Sequence, residues 1–102
     1  MKGRTMAQPL YLIATIRPIP EHRDVLIQEC KKLVDASLQE PGCELYDLVI
    51  ADGDDYFTMM EKWTTKAHWD AHMLTSHVAA MGEVEKKYCL EPNQLKFLLP
   101  AY

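Results

Sequence analysis

The chain has 102 residues, 48% of them hydrophobic and 25% charged, with 11 Lys plus Arg against 15 Asp plus Glu for a net charge of −4. Those proportions are those of one ordinary globular domain, which excludes a second domain and a chain disordered over most of its length. The basic residues are scattered among acids rather than gathered into a stripe, which excludes nucleic acid as a partner.

Residues 1–9 carry charge but lead into no apolar stretch of signal-peptide length. They read as a flexible N-terminal extension, and residues 10–102 as a single domain. Leu10 to Ile16 is rich in β-branched and aromatic residues and stops short of Pro18, which predicts a strand. Pro20 suits a first helical turn, and Leu26, Cys30, Leu33, Val34, Ser37 and Leu38 recur at helical spacing, so a helix is predicted from Pro20 to Leu38. Pro41-Gly42 cannot continue it.

Cys43 to Ala51 predicts a second strand, Asp52-Gly53-Asp54-Asp55 a hairpin turn, and Tyr56 to Trp63 its antiparallel partner. Thr64 or Thr65 caps a short helix running through Met73. Thr75-Ser76 caps another, with Val78, Met81, Val84 and Tyr88 on its inner side, ending before Pro92. Gln94 to Leu99 predicts the last strand. The order is β-α-β-β-α-β, an α+β fold with an antiparallel sheet and its second helical region broken in two.

Both parities of the first three strands are apolar, yet the helices suffice to cover one face only. Another copy of the chain is the cheapest cover for the second face, which predicts a homodimer with sheets packed together. Cys30, Cys43 and Cys89 form no C-x-x-C and are odd in number, which argues against a disulfide framework and for a reduced, cytoplasmic protein. No stretch approaches a membrane span, so no membrane association is expected.

Three of the four histidines and both tryptophans fall between Glu61 and His77. Strand parity puts Glu61 and Trp63 on one face with Phe57 and Met59. A carboxylate there either bonds a helix terminus or works in a semi-apolar pocket, orienting a histidine or taking a proton. His72 and His77 are candidates for proton handling, against the plainer reading of structural histidines. His68 and His72 share a helix face and could bind zinc with His77 and Glu61, but the spacing matches no metal signature and no metal is expected. Met59, Met73, Met81 and Tyr46 are core by default, though methionine-rich walls also suit flat ligands. The glycines form no phosphate or dinucleotide loop, so no nucleotide or flavin cofactor is expected.

Leu12-Ile13-Ala14-Thr15-Ile16, Glu40-Pro41-Gly42-Cys43 leading to Tyr46, Glu61-Lys62-Trp63, Ala71-His72 and Thr75-Ser76-His77 together resemble the antibiotic biosynthesis monooxygenase family. The resemblance implies a dimeric ferredoxin-like α+β barrel with a small apolar pocket in each subunit. It implies oxidation of a small quinol or phenolic by dioxygen without metal, flavin or other cofactor. Some relatives act on phosphorylated autoinducer-2, and others degrade haem. The asparagine of the haem-degrading members has no counterpart in the first strand, since Asn93 is the chain's single asparagine. On this footing His72, His77, Glu61 and Tyr46 are the expected catalytic residues, and Trp63, Met59, Phe57, Met73 and Met81 the expected pocket wall. The alternatives are processing of a phosphorylated sugar, for which Arg17 and Lys62 are the phosphate-binding candidates, and a non-enzymatic dimer that binds small aromatics.

Overall fold

The computed structural model describes residues 8–102. Most of the expected N-terminal extension therefore lies outside the described residues. Strand β1 spans Leu10–Ile16, as its composition predicts. Pro20–His22 then forms a single 3-10 turn before helix α1, Arg23–Ser37. The predicted helix from Pro20 is thus tightened in its first turn. Neither Ile19 nor His22 offers a side-chain cap, and unsatisfied N–H groups at an uncapped start favour the tighter spiral.

Strands β2, Cys43–Val49, and β3, Phe57–Trp63, form the hairpin. Each is shorter at the turn than predicted, because the Asp54 N–H bonds the Ala51 carbonyl at 2.9 Å and draws the flanking residues into the loop. Helix α2, Lys66–His72, is capped by the Thr65 hydroxyl, which accepts from the His68 N–H. Helix α3, Ser76–Tyr88, is capped in the same way by Thr75 accepting from Val78. Two caps ten residues apart explain why the second helical region breaks: each stabilises a fresh start. Strand β4, Gln94–Leu98, completes the chain's elements.

The four strands form one antiparallel sheet in the order β2-β3-β1-β4. This is the ferredoxin-like topology that the family resemblance implied. The register sets Leu12 beside Glu61, Ala14 beside Met59, and Tyr46 on the other side of Glu61. These residues, with Leu10, Ile16, Phe57 and Trp63, form the buried face beneath the helices. Leu26, Cys30 and Leu33 of α1 and Met81 of α3 close the core from the other side. The opposite face carries Ile13, Leu45, Val49, Met60 and Leu98 interspersed with Thr15, Asp47, Thr58, Lys62 and Lys96. It is more mixed than strand parity alone suggested, and no described element covers it. No helix among the described residues is long and apolar enough to cross a membrane.

Candidate active site

A cavity of about 250 Å³ lies between the buried sheet face and the helices. Its walls are largely apolar: Leu12, Ala14, Leu33, Met59, Trp69, Met73 and Met81 are among them. Its polar groups are few, with Tyr46, Glu61 and His72 gathered on one side and Glu85 and Asn93 also lining it. A small, mostly apolar hollow with convergent polar groups is the usual form of a small-molecule site.

His72 is the last residue of α2 and is 2% exposed. Its Nδ1 lies 2.6 Å from Glu40 Oε2, and the same oxygen lies 2.7 Å from His77 Nε2. A carboxylate can only accept, so Nδ1 of His72 carries the hydrogen, and in the neutral ring Nε2 is left as an acceptor. That nitrogen lies 3.5 Å from the Tyr46 hydroxyl, which donates to it across a long bond. Glu40 thereby fixes both the tautomer and the tilt of a buried imidazole. His77, in the first turn of α3, holds the far side of the carboxylate and is partly open to solvent.

The turn after α1 makes this arrangement possible. Gly42 has φ +78°, and its backbone lies against the His68 ring with no room for a Cβ. The Gly42 carbonyl also accepts from the Thr64 N–H at 2.8 Å, tying the turn to the end of β3. Glu40 is thus pinned where α1, α2 and α3 converge.

Burial sets the protonation of the other groups. Glu61 is 5% exposed, and burial pushes its carboxyl up from 4.5 to about 7. The Trp63 indole opposes that rise by donating to Glu61 Oε1 at 3.0 Å, while the charge of Glu40 adds to it. Burial, helped by Glu61, raises the Tyr46 phenol far above its ordinary range, so it remains an O–H donor. The His72 imidazole is lowered, since burial outweighs the Glu40 hydrogen bond that favours its charged form. A neutral base, a neutral phenol and a carboxyl poised near neutrality therefore share one pocket. The cysteines are all free, and burial pushes Cys30 up to about 12 and Cys89 to about 11, away from thiolate chemistry.

The family model described as antibiotic biosynthesis monooxygenase matches residues 9–84. The chain belongs to the antibiotic biosynthesis monooxygenase family. A similar protein, YgiN of Escherichia coli strain K12, bears the name probable quinol monooxygenase. It is 32% identical over 103 residues, spanning 90% of this chain and 98% of YgiN. The crystal structure of PA3566 from Pseudomonas aeruginosa is similar with a TM-score of 0.85 and 31% identity, covering 97% of this chain and 100% of that one. Rv0793 from Mycobacterium tuberculosis shares the fold at a TM-score of 0.87 and 21% identity, over 93% and 97% of the two chains.

Of the site residues read from the sequence in this monooxygenase-family chain, Tyr46, Glu61, His72, Met59, Met73 and Met81 all line the cavity. Trp63 and Phe57 do not line it. Trp63 is fully buried behind it, its ring centroid 4.7 Å from that of His72, and Phe57 lies beneath the Arg23 guanidinium. His77 does not line the cavity either; it shares Glu40 Oε2 with His72, and its ring centroid lies 5.8 Å from that of His72. His68 is turned away, its Nδ1 2.8 Å from the Thr65 hydroxyl. The carboxylate that orients a histidine is Glu40, where strand parity had singled out Glu61. Glu40 was legible only as part of the Glu40-Pro41-Gly42 segment, because 32 residues separate it from His72. Trp69, which lines the cavity and meets Phe97 edge-on at 5.2 Å, carried no signal beyond the clustering of aromatics.

Proposed function

We propose that the protein is a cofactor-independent monooxygenase that oxidises a small quinol or related phenolic with dioxygen, working as a homodimer in the cytoplasm. The observation that supports it best is the Glu40–His72 pair, which leaves Nε2 of a buried, neutral imidazole as the free base at an apolar cavity. A substrate hydroxyl between Nε2 and Tyr46 gives its proton to His72 and accepts a hydrogen bond from the phenol. The phenolate so formed is electron-rich and passes an electron to dioxygen unaided. Tyr46 stabilises the oxyanion in a site where water is scarce, which is where such a donor acts most strongly.

His72 then carries a proton on each nitrogen, and Glu40 and His77 lead it towards solvent through contacts of 2.6 and 2.7 Å. Glu61, near its midpoint at neutral pH, serves as a second proton donor or acceptor at the same wall. Met59, Met73, Met81 and Trp69 supply adaptable and flat surfaces for an aromatic ring.

The phosphorylated-sugar alternative lacks its cation. Among the described residues, no Lys or Arg lines the cavity. Arg17 pairs with Glu91 at 3.0 Å just past the end of β1, and Lys62 pairs with Glu44 at 3.2 Å on the uncovered face. The homodimer reading rests on that uncovered face, which carries Ile13, Leu45, Val49 and Met60 and which no described element covers.

The deciding experiment is oxygen uptake across a panel of quinols with a metal chelator present, followed by product analysis. Uptake well above the uncatalysed rate, with oxygen incorporated into the product, is expected. Tight quinone binding with no uptake would leave the non-enzymatic binder as the better reading.

A further inference from the structure

We propose that Glu40, His72 and His77 also form a binding site for a divalent transition-metal ion of the zinc class, and that the bound ion silences His72 instead of serving the reaction. The silencing rests on the function proposed above; the binding does not.

Three elements deliver the donors: the turn after α1, the last residue of α2 and the first turn of α3. Glu40 Oε2, His72 Nδ1 and His77 Nε2 all lie within 4.8 Å of one another. Two imidazoles and one carboxylate are a donor set that suits zinc and its neighbours, with a fourth position left to water. Tetrahedral zinc places its ligand atoms about 3.3 Å apart, given metal–ligand bonds of about 2.0–2.1 Å. The two present contacts are 2.6 and 2.7 Å, and all three atoms lie within 4.8 Å. An ion therefore has to push the carboxylate out by roughly 0.6 Å and draw the two imidazole nitrogens to about the tetrahedral separation, by side-chain movement. The side chains of Glu40 and His77 are 13% and 25% exposed, which gives an ion a way in from solvent. The sequence had pointed to a different set, with His68 and Glu61. Those two are committed elsewhere, to Thr65 and to Trp63.

The placement decides what the ion does. It binds Nδ1 of His72, the edge turned towards Glu40, while Nε2 points to Tyr46. The imidazole ring therefore stands between the ion and a substrate in the cavity, so the ion cannot polarise that substrate. When Nδ1 takes the metal, the hydrogen it held is lost to solvent and one is regained at Nε2. The neutral ring keeps one hydrogen throughout. His77 shifts its hydrogen from Nε2 to Nδ1 in the same way. Nε2 of His72 thereby becomes a donor and no longer accepts the substrate proton. Metal and catalytic proton transfer exclude one another.

Cobalt(II) titration of the tag-free full-length chain tests the binding directly, because a tetrahedral site gives strong visible d–d absorption. The expected result is one saturable site per chain, displaced by Zn²⁺. Both Glu40→Gln and His77→Ala should weaken it by about 100-fold or more, while His68→Ala should leave it intact. Circular dichroism of each variant checks that the fold survives. Absence of saturable binding, or binding that persists in both Glu40→Gln and His77→Ala, overturns the site. With an active quinol in hand, Zn²⁺ at the occupancy seen by displacement should suppress oxidation and a chelator should restore it. Full activity at full occupancy overturns the silencing. A chain that oxidises no quinol but binds cobalt at these residues would refute the proposed reaction and leave the metal site standing.

Discussion

Along β3, successive residues alternate between two environments. Phe57, Met59, Glu61 and Trp63 are buried beneath the helices, whereas Thr58, Met60 and Lys62 face the uncovered side. Glu61 and Lys62 are chain neighbours, yet they behave as groups in different solvents. The carboxyl of Glu61 is pushed up to about 7 by burial. The ammonium of Lys62 lies 3.2 Å from Glu44 and 5.4 Å from the Tyr11 ring, in the open, where its pairing is screened by water. Chemistry on this sheet is assigned by parity and by what covers each face. The buried face holds a cluster of polar groups because α2, α3 and the turn after α1 bring His72, His77 and Glu40 down onto it. The other face holds no such cluster, and no described element descends upon it.

The largest effect is expected where that descent is anchored. Gly42→Ala puts a Cβ into the His68 ring at a backbone φ of +78°, so both strain and collision oppose it. Urea denaturation should show a loss of roughly 3 kcal/mol or more, about 1–3 from the backbone and the rest from overpacking. The variant should also lose activity out of proportion to its residual folded fraction, since the same turn places Glu40.

His72→Phe sharpens the contrast on the chemical side. Phenylalanine fits the apolar space among Tyr46 and Trp63, so the fold should persist, while the oxidation rate falls by about 10²-fold or more. His68→Phe should leave the rate within a few-fold, because His68 bonds Thr65 and does not line the cavity. Comparable activity in the two variants would show that His72 is structural.

How much of this was legible beforehand follows from the range of each signal. Strand parity reported the inward set Leu10, Leu12, Ala14 and Ile16 and the inward pair Glu61 and Trp63, because period-two alternation is a local property. Thr64 or Thr65, and then Thr75-Ser76, announced two helix starts through capping chemistry, also local. The contact between Glu40 and His72 spans 32 residues and depends on how a Pro-Gly turn swings, which no periodicity encodes. Trp63 behind the cavity rather than on its wall is likewise a matter of depth. Parity gives the face on which a side chain lies and says nothing of what stands in front of it.

Glu61→Gln probes the buried face through stability. The Glu61 carboxyl titrates near 4.5 when unfolded and about 7 when folded, so the folded chain holds a proton that the unfolded chain has already released. Stability therefore falls as pH rises from about 4.5 to about 7 and stays reduced above that. The difference amounts to roughly 3 kcal/mol at alkaline pH. Glutamine keeps an oxygen for the Trp63 N–H and never ionises. The variant should accordingly be more stable than the parent at pH 8, with the gap closing towards pH 5, as read by denaturation at each pH. A gap independent of pH would mean that Glu61 keeps an ordinary carboxyl in the folded state.

The smallest effect on the subunit itself is expected from the uncovered face. Met60 sits at the centre of the sheet, beside Ile13 on one strand and Asp47 on the other, and is 39% exposed. In a single chain, Met60→Lys costs little, since a lysine there extends its stem along the sheet and keeps its charge in water. Between two sheets packed face to face, the same ammonium, repeated by symmetry, has to be desolvated without a partner. Sedimentation should then show dimer association weakened, with the dissociation constant raised by at least about tenfold, the equivalent of about 1.4 kcal/mol. The cavity, on the opposite side of β3, should be untouched, so any loss of oxidation would have to follow the loss of dimer across a dilution series. A parent chain that already sediments as a monomer at micromolar concentration would remove the dimer, and an unchanged association in Met60→Lys would place the contact on some other surface.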